Sequence, residues 1–421
     1  KITWQYAENE DIKAQPGYKP QKYEGIAIVD YHGDDINLVI PEYIDGLPVI
    51  SVSVTCAQTK NKIESVTLPS TLRFICDRAF KDMTGLKTVT MSESVEQIGD
   101  EAFSGCCSLK NITFSKSIMR IDSKAFYRCT ALESVILPEG LITLEDGAFS
   151  DCASLKEVTF NDNLLRIGAD AFYYCNLQSV ELKEKVIEIG NFAFSDNINL
   201  KTITLPESLR TIGGCFIRST AVEEIKVPKY LTSAVGFLYG SKIKNLVLPS
   251  HFIPITQNVV GSDLPLETLT IESTEIKESG LNLPKLKTLI YKGEGIIDKK
   301  AFYYDYATGS YRVPETVIFT DCINLNMHDF LLNTMKYYYR IDTETGYRYY
   351  TKEYSSEEEL RALGNSFVSG DYTYDLTAGG GAIITDYNGA YVGSVTVPSV
   401  FEHEGKEYPV VAIGNNAFAE T

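Results

Sequence analysis

Cysteine and histidine are the residue types in this chain that most often act as nucleophiles or metal ligands. Four of the nine cysteines share one spacing of 23 residues, namely Cys106, Cys129, Cys152 and Cys175. Stacked copies of a repeat would bring neighbours in this column near the Cα distance that a disulfide needs. Their side chains would all point the same way, however, and Met83 and Asn197 occupy the equivalent positions on either side. We therefore predict free thiols that act as small apolar groups.

The other short motifs that carry chemistry are missing from the sequence. Cys106 and Cys107 are adjacent and no C-x-x-C pair exists, which argues against a zinc site. The histidines lie far apart and outside any H-E-x-x-H pattern, so we assign them to surfaces or loops; they are His32, His251, His328 and His403. Neither a G-x-S-x-G elbow nor a P-loop is present. The sequence therefore predicts no catalytic residue, no cofactor and no metal.

An Ala-Phe pair recurs at a near-constant period. Its copies are Ala79-Phe80, Ala102-Phe103, Ala125-Phe126, Ala148-Phe149, Ala171-Phe172 and Ala193-Phe194. The steps between them are 23, 23, 23, 23 and 22 residues, and a degenerate copy follows at Cys215-Phe216. A period of this length indicates one structural unit that is repeated along the chain.

An apolar–x–x–apolar–x–apolar strip precedes each pair and continues after the pairs fade. One copy is Leu86, Val89 and Met91, and the last is Leu286, Leu289 and Tyr291. The strip has the pattern of a short strand, which cannot bury its apolar face alone and must stack on the next copy. The predicted fold class is therefore a leucine-rich repeat solenoid, a parallel β ladder of about eleven turns with β-rich caps and little helix.

Three further repeat positions have predicted structural roles. Proline often closes the strip, as at Pro69 and Pro138, because it cannot donate to a continuing ladder. An Ile-Gly pair recurs, as at Ile98-Gly99, and indicates either a backbone with positive φ or a crowded backbone. The Phe of each Ala-Phe pair is predicted to fill the core, with Ala beside it because space is short.

The strips, the prolines, Ile-Gly and the Ala-Phe-x-x-Cys pattern together resemble the BspA-type leucine-rich repeat family. The resemblance covers roughly residues 23–291 and again 371–421. It implies a protein of the cell surface or a secreted protein of a host-associated microbe, with a role in adhesion to host proteins or to other cells. It specifies no ligand.

The pattern divides the chain into four predicted parts. Residues 1–50 form an N-terminal β capping unit, whose first 22 residues we expect to be irregular, and residues 51–320 form the solenoid. Residues 321–370 are a Tyr-rich closing segment with a hairpin and a short helix that begins at Ser355 or Ser356. Residues 371–421 repeat the capping unit and begin a further repeat at Ala417-Phe418.

Composition narrows the classes of partner. The chain of 421 residues has a formal net charge of −17 and a pI near 4.8, which argues against nucleic acid and anionic membranes as partners. No apolar run reaches the roughly 20 residues of a membrane span, so we predict no membrane insertion. The chain begins at Lys1 rather than Met, so we expect that a signal segment has been removed or that the sequence is cut.

Two sets of residues are candidate binding surfaces. The first is a protein-binding ladder of outward residues on the strips: Thr88, Thr90, Asn111, Thr113, Ser134, Glu157, Thr159, Ser179, Glu181, Thr202 and Thr204. The second is an aromatic platform of Tyr337, Tyr338, Tyr339, Tyr347, Tyr349 and Tyr350. Each has a structural alternative, because Thr suits exposed strands and Tyr packs well in hairpins.

The leading hypothesis is a non-enzymatic secreted or surface protein that binds a protein partner, such as a host matrix or cell-surface protein, through the solenoid. The alternative is a glycan-binding or glycan-processing accessory module that uses the Tyr-rich segment. An enzyme would need two carboxylates close together in a cleft, an arrangement that the sequence does not indicate.

Overall fold

The computed structural model divides the chain into two compact units, residues 1–243 and 244–421. It describes residues 2–9, 23–54, 60–232, 234, 236–250, 264–272, 281, 283–292, 297, 301–305, 310–319, 331, 335, 338–341, 348–351, 367–369, 372–376, 382–387, 397–403 and 406–413. The unit boundary falls inside the range predicted for the solenoid, and the four-part division stays a prediction.

Strands and turns build the first unit, with one short 3-10 helix at Lys60–Lys62. Its capping strands are β1 Ile2–Asn9, β2 Tyr23–Tyr31, β3 Asn37–Val39, β4 Tyr43–Ile44 and β5 Leu47–Val52. The repeats follow with β6 Ser65–Thr67, β7 Phe74–Ile75, β8 Thr88–Thr90, β9 Gln97–Ile98, β10 Arg120–Ile121, β11 Ser134–Ile136, β12 Thr143–Leu144, β13 Glu157–Thr159, β14 Arg166–Ile167, β15 Ser179–Glu181, β16 Glu188–Ile189, β17 Thr202–Thr204 and β18 Thr211–Ile212.

The first capping unit begins with a strand, so the expectation of an irregular start was wrong for Ile2–Asn9. β1 pairs antiparallel with β2, from Ile2 opposite Tyr31 to Asn9 opposite Tyr23. β2 then pairs in parallel with β5, and β5 pairs in parallel with β7 of the first repeat turn. Thr3, Trp4 and Gln5 of β1 are all exposed, so pairing with β2 rather than a buried face defines this strand.

Most repeat turns of the first unit carry two strands, and the shorter one was not predicted. The apolar strips form the longer strands, such as β8 and β17, as expected. The two residues that end in the Ile of the Ile-Gly pair form a second parallel ladder, in the order β5-β7-β9-β10-β12-β14-β16-β18. Two residues are too few for a sequence period to reveal, so only the stacked backbone identifies this ladder.

The Ile-Gly glycines lie on a crowded backbone rather than at positive φ. A Cβ at Gly168 would approach the Asp146 amide nitrogen to 2.6 Å, and a Cβ at Gly213 would approach the Asn191 nitrogen to 2.3 Å. Those distances are shorter than any real Cβ contact. Of the two explanations for this glycine, close approach of the preceding turn is therefore the right one.

Positive φ occurs instead at two other positions of each turn, which lie on either side of the Ala-Phe pair. The first column is Arg78, Glu101, Lys124, Gly147, Asp170, Phe192, Cys215 and Gly236, and the second, four residues later, is Asp82, Gly105, Arg128, Asp151, Tyr174, Asp196, Ser219 and Gly240. Between them the Phe amide donates to the Ala carbonyl of the next turn, for example Phe103 to Ala125 at 2.7 Å. The Ala-Phe turns are thus a third hydrogen-bonded column.

The phenylalanines form one stack through the core. Ring centroids of Phe80, Phe103, Phe126 and Phe149 follow one another at 5.1 Å, and the stack continues through Phe172 to Phe194. All of these rings are completely buried. The predicted core role of the phenylalanines is therefore correct.

The degenerate copy at residue 215 has a different register from the one predicted. The Phe194 amide donates to the Phe216 carbonyl, as the Phe172 amide does to Ala193, so Phe216 occupies the Ala position and Ile217 the Phe position. Phe237 and Leu238 repeat this exchange, and the rings of Phe216 and Phe237 stack with centroids 6.2 Å apart. These turns therefore have an aromatic ring at the Ala position and an aliphatic side chain at the Phe position.

The second unit contains further strips in parallel strands, and antiparallel strands follow them. Its strands are β19 Asn245–Leu248, β20 Thr268–Ile271, β21 Thr288–Tyr291, β22 Tyr303–Asp305, β23 Ser310–Arg312, β24 Thr316–Phe319, β25 Tyr338–Ile341, β26 Arg348–Thr351, β27 Phe367–Ser369, β28 Tyr372–Leu376, β29 Ala382–Tyr387, β30 Val400–His403 and β31 Lys406–Ile413. β19, β20, β21 and β24 pair in parallel, whereas β24, β26 and β25 pair antiparallel. The solenoid has about ten turns in all, near the predicted number.

Several predicted features lie outside the described residues. They are the short helix from Ser355 or Ser356, the repeat start at Ala417-Phe418, and His251 and His328.

The cysteine column is buried and reduced, as predicted. Cys106, Cys129, Cys152 and Cys175 are free thiols, and each donates to a Phe carbonyl in the core at 3.1 to 3.2 Å. Burial raises the pKa of the Cys129 thiol well above its ordinary 9.0. Burial raises the pKa of the Cys106, Cys129 and Cys152 thiols and shields them from solvent, which disfavours reaction as nucleophiles.

Replacing Phe126 by Ala should lower the free energy of unfolding by about 3–5 kcal/mol, because it removes the middle ring of the stack and leaves a cavity. Urea unfolding followed by circular dichroism measures the change. Ile136→Ala is the matched control, because this aliphatic side chain is 70% exposed and its loss should cost little. Equal effects of the two substitutions would contradict a core role for the stack.

Stability should fall above pH 9, because the unfolded chain ionises its thiols there while the raised pKa of Cys129 keeps the folded chain protonated. The stabilisation is complete below the unfolded pKa and is lost as pH rises toward the folded pKa, by at most about 1.4 kcal/mol per pH unit for each thiol. Urea unfolding of the parent and of Cys129→Ala at pH 8 and pH 10 should show a smaller pH loss in the variant. Identical losses would contradict this explanation.

Candidate functional site

The predicted protein-binding ladder lies on one exposed face of the first unit. We call it the strip face and define it by the two outward positions of each strip. All eleven predicted residues are exposed: Thr88, Thr90, Asn111, Thr113, Ser134, Glu157, Thr159, Ser179, Glu181, Thr202 and Thr204. The central residue of each strip points inward, as Val135 and Ile203 do. Alternation along a three-residue strand is therefore enough to present two columns of side chains.

The pairing register fixes the order of side chains within each column. Ser65 lies opposite Thr88, Ser134 opposite Glu157 and Ser179 opposite Thr202. With a strand spacing of about 4.8 Å, the turns from Ser65 to Thr202 span about 29 Å. The strip face is thus long in one direction and about three residues wide.

The strip face carries little net charge, although the chain as a whole is acidic. Glu157 and Glu181 are its carboxylates among the predicted residues, and the others are Ser, Thr or Asn. The Lys183 ammonium lies 2.8 Å from Glu181 and lowers the pKa of that carboxyl. This face therefore presents hydroxyl and amide groups rather than a field of one sign.

Two strips keep the side-chain alternation without a regular strand. At Asn111–Thr113 and at Glu224–Lys226 the backbone is not in a ladder, yet Asn111, Thr113, Glu224 and Lys226 are exposed. We have no physical account of why these two turns differ. The columns of outward side chains nevertheless pass through them.

A second exposed cluster, which the sequence analysis missed, follows the Ala-Phe turns. We call it the turn patch and define it as Tyr127, Arg128, Asp151, Tyr173, Tyr174, Asp196 and Arg218. The Arg128 guanidinium lies 5.0 Å from the centre of the Tyr127 ring, and the rings of Tyr173 and Tyr174 lie 6.2 Å apart. The pKa of Tyr127 is raised, first by burial and then by Asp151. Tyr and Arg one and two positions after Ala-Phe were the available sequence signal.

Tyr174 is the unusual member of the turn patch. Its φ is 53°, in the left-handed region where a bulky side chain is disfavoured, and the residue is 55% exposed. Other turns place Gly, Asp, Ser or, at residue 128, Arg at this position. The Tyr174 ring lies beside the Tyr173 ring on the surface and not in the core.

One residue of the predicted aromatic platform, Tyr350, lies in the core. Tyr350 is 2% exposed and packs edge to face on Phe319, with ring centroids 5.5 Å apart, so it belongs to the core. Tyr338 and Tyr339 lie on β25 and Tyr349 lies on β26, which pair antiparallel as the predicted hairpin requires. Tyr337 and Tyr347 lie outside the described residues.

Among the acidic residues of the first unit, Asp122 is the buried one that most resembles a catalytic acid. It occupies the position where Gly99 and Gly168 stand in other turns, and burial raises its pKa. The Gln97 amide donates to it at 2.6 Å, and Arg120 forms an ion pair with it. With its oxygens held by two neighbours in the ladder, Asp122 has the environment of a structural acid.

Metal ligation and membrane insertion find no support in the described part of the chain. No group of three or more His, Cys, Asp or Glu side chains is placed there to hold a metal ion. Among the same residues, no helix has the length and apolar character needed to cross a bilayer.

Comparison with known structures finds leucine-rich repeat proteins of bacteria. A leucine-rich repeat protein of Bacteroides ovatus ATCC 8483 is 25% identical over 69% of this chain and 70% of its own, with a TM-score of 0.49. A leucine rich cell surface protein of Faecalibacterium prausnitzii A2-165 is 24% identical over 68% and 93%, with a TM-score of 0.40. A leucine rich repeat protein of T. pallidum is 27% identical over 51% and 86%, with a TM-score of 0.37.

Among curated protein sequences, none is significantly similar to this chain. In contrast, the family model of the BspA type leucine rich repeat region matches this chain in six copies, over residues 52–176 and 165–287. These two ranges together cover more than half of the 421 residues and coincide with the repeat turns described above. The chain therefore belongs to the BspA-type leucine-rich repeat family.

Proposed function

We propose that this chain is a non-enzymatic binding protein that engages a protein partner through the strip face. The observation that carries the proposal is the continuous pair of exposed columns, which the repeat places on one face of the first unit. Leucine-rich repeat solenoids suit protein interaction, since their stacked turns form extended surfaces. BspA-type proteins are typically secreted or at the cell surface, and we extend that location and a role in adhesion to this chain.

The size and charge of the strip face define the kind of binding to expect. About 29 Å by 10 Å is roughly 290 Å², well below the roughly 800 Å² that each partner buries in a standard interface. A partner that touches this face alone would bind weakly, and repeated contacts on a surface would raise the avidity. Because the face is nearly neutral, its affinity should depend little on salt concentration.

The first experiment is binding of the purified chain to an array of extracellular-matrix proteins and purified glycans. We expect saturable binding to a protein that is lost when Thr88, Thr113 and Thr202 are all replaced by Lys. Long charged side chains would then project from the strip face and leave the partner's neutral surface with unpaired charges.

The matched control replaces Thr130, Ala153 and Ile198 by Lys. These three residues share one repeat position and are exposed, and the control changes the net charge by the same amount. It should leave binding unchanged. Loss of binding in both triple variants would point to net charge, and binding to glycans alone would contradict the proposal.

Tyr174→Gly tests the turn patch as the rival surface on the same chain. It should raise the free energy of unfolding by about 1 kcal/mol, because Gly adopts positive φ without the steric cost that an L side chain carries. Urea unfolding measures this gain. Binding to the array should persist under our proposal, whereas a more stable variant that no longer binds would move the contact to the turn patch.

A further inference from the structure

The second unit contains a copy of the first capping unit. The copy has the same strand pairings and the same irregularities in their register. β28 and β29 pair antiparallel as β1 and β2 do, with a register shift after Thr373 that matches the shift after Thr3. β29 and β31 pair in parallel as β2 and β5 do, with a shift after Ala382 that matches the shift after Ile26. We define the second capping unit as residues 367–413.

The hairpin that follows is also shared. β30 pairs antiparallel with β31 as β4 does with β5. The Val410 amide donates to the Ser399 carbonyl at 2.9 Å, and the Val49 amide donates to the Glu42 carbonyl at 2.8 Å. Agreement at both shifts and at this bond aligns Ala412 with Ser51 and Ile413 with Val52.

In the first capping unit these aligned residues bind the solenoid. Ser51 and Val52 pair in parallel with Phe74 and Ile75 of the first repeat turn. The Val52 carbonyl accepts a hydrogen bond from the Cys76 amide at 2.9 Å, and the Val52 side chain is 0% exposed. A repeat turn therefore covers the end of β5.

The corresponding end of β31 has an uncovered side chain. Ile413 is 42% exposed, although its counterpart Val52 is fully buried. Val410 is half-buried, although its counterpart Val49 is 0% exposed. Among the described residues, β31 pairs with β29 and β30 and with no repeat turn.

The sequence beyond β31 has the spacing of a repeat turn. Ile413-Gly414 is followed by Ala417-Phe418, as Ile98-Gly99 is followed by Ala102-Phe103. In a repeat the Ile of this pattern lies on the short-strand ladder, as Ile98 does on β9. The pattern therefore indicates which kind of segment belongs against the end of β31.

We propose that the Ala412–Ile413 edge is a docking surface for a leucine-rich repeat turn of the same polypeptide. The turn adds a parallel short strand to β31, as β7 does to β5, and buries Ile413. The second capping unit is thus a starting template for repeats. This assignment does not depend on which partner the strip face binds.

The test is a graft that joins a known set of repeats to the second capping unit. Residues 1–413 are followed directly by a second copy of residues 53–243, so that Ile413 takes the place of Val52. An Ile136→Val substitution in the added copy changes the mass of the peptides that contain this position, and exchange is compared on these peptides. We expect hydrogen exchange in the added copy to be within about tenfold of that in the original copy.

The matched variants place the same charge at the two aligned positions. Ile413→Lys should leave the urea midpoint of the ungrafted chain unchanged, because this side chain is exposed, but should abolish exchange protection of the added copy. Val52→Lys should lower the stability of the ungrafted chain, because its side chain is buried against a repeat turn.

Three results would overturn the proposal. The first is an added copy without protection, since the identical original copy folds on its own capping unit in the same polypeptide. The second is an added copy that stays protected with Ile413→Lys. The third is a dimer of the ungrafted chain that Ile413→Lys dissolves, because a second copy of the chain would then be the occupant of the edge.

Discussion

The whole chain depends on the inability of one repeat turn to bury its own apolar side. A turn of 22 or 23 residues has an interior of one Phe, one Ala and a few aliphatic residues, and these are covered only when the next turn stacks on them. The phenylalanine stack, the cysteine column and the ladder of short strands are three results of this single requirement. Like residues meet like residues because hydrogen bonds between adjacent turns hold the turns in register, and the shared register then fixes the crowded glycines and the two columns of positive φ.

The same requirement makes the ends of the stack the sensitive places. An end turn has an apolar face and unpaired backbone groups, which favour aggregation unless another element covers them. The first capping unit covers such an end with β2 and β5, which extend the short-strand ladder. Its copy in residues 367–413 has the same register shifts. An element that only had to cover an apolar end would not need these shifts. Conservation of the pairing within one chain is therefore best explained by a shared task, the start of a ladder.

Within each strip the central residue faces the core and its two neighbours face solvent. The neighbours are therefore free to vary. The inward residue of each strip is apolar, whereas its two neighbours differ from turn to turn without affecting the stack. On the strip face these neighbours are mostly Ser, Thr and Asn, and the acidic residues of the chain lie elsewhere for the most part. A nearly neutral face on an acidic protein can be covered with little desolvation of charge. The turn patch differs in kind, since Tyr174 occupies a strained backbone position there.

The sequence alone determined the repeat, the fold class, the family resemblance, the buried phenylalanines and cysteines and the exposure of the eleven ladder residues, because each of these follows from a side-chain period that is local. It missed β1, which is defined by its pairing with the separate segment β2, and the short-strand ladder, whose two-residue strands exist only by stacking. It placed Phe216 one position wrong, because it counted from Phe and not from the Ile-Gly pair that fixes the backbone. It expected an exposed platform that included Tyr350, and only the packing of Tyr350 against Phe319 showed that this ring is core. Contacts between residues far apart in the sequence decided all of these features. A local sequence pattern does not specify which turn or strand packs beside a given segment.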